Sequence, residues 1–424
     1  MRYLIFLFSF SISLYGTIAY VGKDWEVRIY DVTDPDSVYI ISSFDATNNG
    51  SPRGVTDIWL YRDYLYIGLT RDGATQSLWP GGVNIFDASD SINPVFVSEI
   101  YTGGDVWNIY LQGDLLYVVS SDTRIWDPDT VYQGSLFVYD ISDPSSPQLL
   151  DAVEPPGSPM DVYVNGDYVY VGTGDSLLIY TFPAIGVEEG VTVEVSIMGE
   201  YLVLRGYEGG IKVYDVAGRE AGVRYNVGGE ETMVYTGDLS SGVYFVYAGG
   251  RVYRFLKVGS YKSVSGIRSL SKQDYSLVRV GGIDTDCSLC INGTGNYVFT
   301  TPDSANDLRS IDVSDPANPV KKGYVADMRG WIEIEDTLIY FYNSGNDQLD
   351  VIDISEPWNP VKIDTVDKKG RRVPCKAAGR CLVYKDGRIY VANFGLKIYD
   401  VTDPVTPGEL YNSGDIGAST IEVR

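Results

Sequence analysis

The chain has 424 residues, 44% of them apolar, and its 57 acidic and 33 basic side chains leave a formal charge of −24. With 35 Tyr and 46 Gly the composition is that of a globular chain of strands and turns. Its negative field excludes a nucleic-acid surface or a polybasic membrane anchor. The absence of histidine excludes Ser-His-Asp and Cys-His catalysis, His-ligated metals and His-based pH sensing, leaving carboxylate-only hydrolysis, tyrosine chemistry and oxygen-ligand metals.

At the N-terminus, "MRYLIFLFSFSISLYG" places Arg2 before a short apolar run from Leu4 to Leu14. Charge followed by a run too short to span a bilayer predicts a signal peptide over residues 1–16. No later segment is apolar enough for a transmembrane span. A secreted, periplasmic or cell-surface location is therefore expected, with a single domain over 17–424.

One phrase then recurs along the chain: "VRIYDVTDPDSV" from Val27, "VNIFDASDSINPV" from Val83 and "LFVYDISDPSSPQ" from Leu136. It returns as "LRSIDVSDPANPV" from Leu308, "LDVIDISEPWNPV" from Leu349 and "LKIYDVTDPVTPG" from Leu396, with a shortened "IKVYDVAG" from Ile211. An alternating strand ends at Asp, the Ser/Thr-Asp pair bonds nearby backbone, and Pro fixes φ for the turn into the next strand.

Upstream of each phrase lies a hairpin with a polar tip, cleanest in "DVYVNGDYVYVG" from Asp161. Further tips are read at Arg62-Asp63, Gly113-Asp114, Gly199-Glu200, Gly237-Asp238, Gly295-Asn296, Glu335-Asp336 and Lys385-Asp386. A ninth hairpin is split: "TIEVR" at the C-terminus matches "DVYVN", and "GTIAYVG" from Gly16 matches "GDYVYVG". An array whose ends complete one unit is a closed ring, which removes sheet edges. Units of about 40–45 residues with four strands each predict an all-β fold, a β-propeller. The expected count is nine blades, with eight as the alternative if two weak units near Gly199 merge.

The phrases "VRIYDVTDP", "LFVYDISDP" and "LKIYDVTDP" resemble the LVIVD repeat of secreted and surface-exposed bacterial and archaeal proteins. That resemblance implies a propeller outside the cytoplasm and transfers no catalytic residue.

The hairpin register places Asp57, Asn108, Asp161, Glu194, Thr232, Cys290, Gly330, Arg380 and Thr420 around one channel mouth. The next position is apolar (Ile58, Ile109, Val162, Val195, Met233, Ile291, Trp331, Cys381, Ile421), as blade-on-blade packing requires. So mixed a ring suits caps on local backbone better than a symmetric metal site. No cofactor is expected; an asymmetric cluster of Asp57, Asp161 and Glu194 is the place where Ca²⁺ or a cationic group would sit.

Two connections between second and third strands are long, "TRDGATQSLWPGG" and "SSDTRIWDPDTVYQG". They carry Arg71, Trp79, Arg124, Trp126 and Tyr132, residue types that concentrate binding energy or stack on sugars. The competing reading is that these loops cover one another. Cys287 and Cys290, and Cys375 and Cys381, are disulfide candidates in an exported chain, as two local bridges or one bridge and two thiols.

The function expected is a non-catalytic binding, adhesion or scaffolding module for an extracellular protein or glycan. The alternative is a secreted carbohydrate-active enzyme using Asp57 and Asp161, or Asp127 and Asp129, as a carboxylate pair.

Overall fold

A computed structural model describes residues 16–51, 53–70, 81–121, 134–182, 194–198, 201–205, 211–215, 221–228, 231–236, 238–239, 242–248, 251–258, 263–269, 277–285, 290–301, 307–343, 347–366, 380–414 and 417–424. The fold is all-β, built as four-stranded antiparallel sheets. Among the described residues no helix is long and apolar enough to cross a membrane.

Alternating Val, Ile and Tyr make the hairpins, and their tips show why Gly, Asn and Asp recur there. The backbone turns left-handed at Arg62 (φ 55°), Gly113 (59°), Gly166 (59°), Gly295 (55°), Asp336 (52°) and Asp386 (50°), the geometry that tight two-residue hairpins demand. The recurring phrase forms two successive side-chain caps. Asp31, Asp87, Asp140, Asp312, Asp353 and Asp400 each accept the N–H two residues on. Asp34, Asp90, Asp143, Asp315 and Asp403 do the same one turn later.

These turns also join neighbouring blades. Ser42 Oγ donates to Ile92 O at 2.7 Å, Ser98 Oγ to Pro144 O at 2.6 Å, and Ser310 Oγ to Pro357 O. Each acceptor lies in the turn between the third and outer strands of the following blade. Gly281 supplies the room for the same approach, because a Cβ there would lie 1.9 Å from Pro316 O.

Among the described residues there are nine four-stranded sheets, but they are not nine equivalent blades. Seven have inner strands that succeed one another in space and return to the start. In ring order these strands are Thr420–Val423, Val55–Tyr61, Asp105–Gln112, Pro159–Asn165, Cys290–Thr294, Gly330–Glu335 and Leu382–Lys385. We number the sheets they begin blades 1 to 7. Each blade also bears a register shift between its third and outer strands, at Ile29/Tyr30, Ile85/Phe86, Val138/Tyr139, Ile179/Tyr180, Arg309/Ile311, Val351/Ile352 and Ile398/Tyr399. Such bulges increase local twist.

Among the described residues the ring thus holds seven blades, where nine, or eight, were expected, and two further sheets form an insertion. Blade 4 takes Ser176–Thr181 as its third strand and Val278–Asp284 as its outer strand. The two remaining sheets lie between these strands in sequence. Their orders are not meanders: Tyr201–Arg205 pairs Glu231–Tyr235, and Lys212–Asp215 pairs Gly242–Ala248. Hairpins around Gly199 and Gly237 resemble blade hairpins in sequence, yet their strands pair within the insertion.

The split blade forms as read. Ala19, Tyr20, Val21 and Gly22 pair with Val423, Glu422, Ile421 and Thr420. Ala19, Val21, Ile421 and Val423 enter one apolar cluster with Val383 and Ile398 of blade 7. Arg424 then reaches blade 2, donating to Ala88 O and to Asp63, both at 2.7 Å.

Candidate functional site

Inner strands are sheet edges, so their N–H groups need partners from outside the sheet. The channel residues supply them. Asp57 Oδ1 accepts from its neighbour Ile58 N–H and from Arg380 N–H, each at 2.9 Å, and its Oδ2 accepts from Ile109 N–H at 3.0 Å. Asp161 repeats the arrangement, with Oδ1 on Val162 N–H at 2.9 Å and Oδ2 on Ile291 N–H at 2.7 Å. In blade 1, Ile421 N–H and Thr420 Oγ1 both donate to Arg380 O, at 3.1 and 2.6 Å. Each inner strand is latched to a neighbouring blade.

Register corrects two members of the expected ring. Trp331 pairs Tyr342, and Ala392 N–H donates to Cys381 O, as Asp57 lies opposite Gly68. The left-handed tips fall at Asp336 and Asp386, one residue later than the sequence reading placed them. Trp331 and Cys381, rather than Gly330 and Arg380, therefore hold the Asp57 position. With that shift the following position becomes Ile58, Ile109, Val162, Ile291, Ile332, Leu382 and Ile421, all buried. Glu194 and Thr232 belong to an inserted sheet, and among the described residues that sheet gives the ring no inner strand.

Strand period two brings a second layer to the same face, two residues further on: Trp59, Tyr110, Tyr163, Asn292, Glu333, Val383 and Glu422. The sequence reading passed over this layer, though stepping two residues from Asp57 would have found it. Tyr110 stands between Trp59 and Tyr163, with ring centroids 5.0 and 5.7 Å away.

Arg380 enters from the segment before blade 7 and crosses this layer. Its guanidinium bonds Glu422 at 2.9 Å and Glu333 at 3.0 Å and lies 4.7 Å from the Trp59 ring centroid. Burial pushes Glu422 up to about 7, against the pull of Arg380. Burial likewise pushes Asp57 up to about 6 despite its three N–H partners, and holds Asp161 well above the usual carboxylate range.

Beside these groups is a cavity of about 180 Å³, lined by Trp59, Asn108, Tyr110, Asp161, Tyr163, Cys290, Asn292, Trp331, Glu333, Arg380 and Cys381 together with apolar neighbours. About a quarter of the Arg380 side chain is accessible. Among the described residues no three Cys, Asp or Glu side chains converge as a metal site requires. Arg71, Trp79, Arg124, Trp126, Tyr132, Cys287, Cys375 and the alternative pair Asp127 and Asp129 lie outside the described residues.

The LVIVD repeat family matches residues 130–154, 156–179, 291–327 and 340–368. The chain carries LVIVD repeats. The LVIVD matches fall on blades 3 to 6, stopping in the third strand of blade 4 and resuming at Ile291, so they pass over the insertion. No curated protein matches the chain. Among solved structures, a functionally unknown protein from Desulfotomaculum acetoxidans is 10% identical, with a TM-score of 0.57 over 96% of this chain and 99% of that one. It shares the fold. Periplasmic gluconolactonase PpgL of Pseudomonas aeruginosa is 11% identical (TM-score 0.45, covering 96% and 98%). AztD of Citrobacter koseri is 10% identical (TM-score 0.37, covering 96% and 97%).

Proposed function

We propose that this LVIVD-repeat propeller is an exported, non-catalytic binding module for an extracellular glycan or protein. The observation that carries the reading is the use already made of the channel carboxylates. Asp57 and Asp161, one of the two pairs offered for glycoside cleavage, accept five backbone N–H groups between them. Glu333 and Glu422 hold Arg380. A general acid must give its proton to a leaving group and a nucleophile must reach the sugar carbon; groups committed to backbone caps and an ion pair do neither without undoing the ring.

The reading also draws on the long connections of blades 2 and 3, whose Trp79, Trp126, Tyr132, Arg71 and Arg124 are the types that anchor ligands. A glycan array, run beside hydrolysis assays on soluble polysaccharides, tests it. Retention of a glycan or an extracellular protein without turnover is the expected result. Turnover that Asp57→Asn or Asp161→Asn abolishes in a folded protein contradicts it.

A further inference from the structure

Three Asn-Gly pairs stand in the chain, at 49–50, 165–166 and 292–293. In such a pair the glycine N can attack the asparagine side-chain carbonyl and close a cyclic imide, because the glycine has no Cβ to obstruct the approach. The attack is assisted by a base for the glycine N–H and by a donor on the carbonyl oxygen. The structure supplies both at one pair and holds the other two differently.

Asn49 and Gly50 lie exposed on the connection from blade 1 to the inner strand of blade 2. The Gly50 N–H donates to Asp45 Oδ2 at 2.7 Å, within reach for proton transfer. The Ser51 N–H donates to Asn49 Oδ1 at 3.0 Å, where it stabilises the negative charge that this oxygen gains on attack. Gly50 is left-handed at φ 68°, and nothing lies within 4 Å of the position a Cβ would take. A fixed frame holds these groups. Asp45 Oδ1 accepts from Thr47 N–H and Thr47 Oγ1, at 2.8 and 2.6 Å. The fully buried Arg53 guanidinium bonds Glu99 at 2.6 Å, Ser51 Oγ at 3.0 Å and Thr47 O at 3.2 Å. Such a frame lowers the orientational cost of the attack.

Asn165, by contrast, sits in a strand opposite Tyr168, and its Nδ2 donates to Gly295 O of the next blade at 2.9 Å. Asn292 lies in a strand opposite Phe299. The Gly293 N–H points at Asn292 Oδ1 itself, at 2.8 Å, so its proton faces the carbonyl oxygen and not a carboxylate.

We propose that Asn49–Gly50 is a self-modifying site, at which Asp45 draws the proton from Gly50 N as that atom attacks Asn49 Cγ. The new N–C bond forms and the bond from Cγ to the side-chain NH₂ breaks. Ammonia leaves carrying the proton, and a succinimide remains. Water then opens the ring at either carbonyl, giving aspartate or isoaspartate. The product adds one negative charge to the exposed tip.

The test is to incubate the folded chain at neutral pH, beside the same chain unfolded in guanidinium, and to follow all three pairs by peptide mass spectrometry. Succinimide and its acid products should accumulate at Asn49 faster in the folded chain than in the unfolded one. Asn165 and Asn292 should convert more slowly folded than unfolded. Asp45→Asn keeps an acceptor for the Gly50 N–H but is no base; it should slow folded-state conversion of Asn49 at least about tenfold.

Conversion of Asn49 in the folded wild-type chain at or below its unfolded rate overturns the proposal, and this comparison needs no variant. So does a folded Asp45→Asn protein that converts at the wild-type rate. Conversion of Asn165 or Asn292 as fast as Asn49 in the folded chain overturns it too, since the frame around Asp45 would then confer nothing.

Discussion

The Asp161 carboxylate accepts the Ile291 backbone N–H at 2.7 Å across 130 residues of sequence. This bond joins the inner strands of blades 4 and 5 on either side of the insertion. It makes neighbours in the ring of two strands that sequence spacing would have put three units apart.

Removing that latch should leave the Val162 and Ile291 N–H groups buried and unpaired. Asp161→Ala is expected to destabilise the protein by about 1–3 kcal/mol. Asp161→Asn, which keeps one acceptor, should cost less. Denaturant unfolding of the two variants checks the order; equal stability of Asp161→Ala and wild type would show that the bond contributes nothing.

Arg380 is a charge held by two others. Arg380→Met strands Glu333 and Glu422 and should cost about 3–5 kcal/mol, whereas a triple variant with Glu333→Gln and Glu422→Gln should recover much of that loss. A thermodynamic cycle across these variants measures the coupling, and additive effects would contradict it.

The pH dependence has two opposed arms. Burial raises Asp57 to about 6 and Glu422 to about 7, above an unfolded value near 4. The folded chain keeps those protons longer, so their stabilising contribution is complete below about pH 4 and is lost as pH rises through 6 to 7. The turn aspartates run the other way: hydrogen bonds from Ser89, Ser314 and Thr402 hold Asp87, Asp312 and Asp400 below the usual range. Their contribution is present above about pH 4 and lost as pH falls through the folded value. Melting temperature should therefore peak near pH 4–5 and decline towards 7, a decline that charge repulsion reinforces. The Asp57→Asn, Glu422→Gln variant should show a shallower decline; an unchanged slope would remove both groups from the account.

Much of this architecture was legible because the physics is local. Asx caps, left-handed tips and period-two strands each leave a residue signature, and the tail-to-head pairing of Ile421 with Val21 follows from matching them. Blades 6 and 7 were read one residue early, since Glu335-Asp336 and Lys385-Asp386 resemble tips while the chain turns at Asp336 and Asp386. Requiring an aliphatic side chain throughout the row that begins at Ile58, where Trp331 and Cys381 stood in place of Ile332 and Leu382, would have corrected both.

The insertion escaped for a different reason. Its hairpins have ordinary strand chemistry, and only long-range pairing tells that Val278–Asp284 completes blade 4. At the site, Asp57 and Asp161 were found as channel residues, whereas Trp59, Glu333 and Glu422 were not. Their roles arise from the convergence of separate blades on Arg380.

The ring closure itself is the claim on which the site depends, because Glu422 and Thr420 reach the channel only through it. Backbone hydrogen exchange of the native protein reads it directly at Ile421, whose N–H donates to Arg380 O at 3.1 Å. The account requires Ile421 to exchange as slowly as Val171 in blade 4, at the rate of global unfolding. Exchange of Ile421 within seconds, while Val171 stays protected, would contradict it.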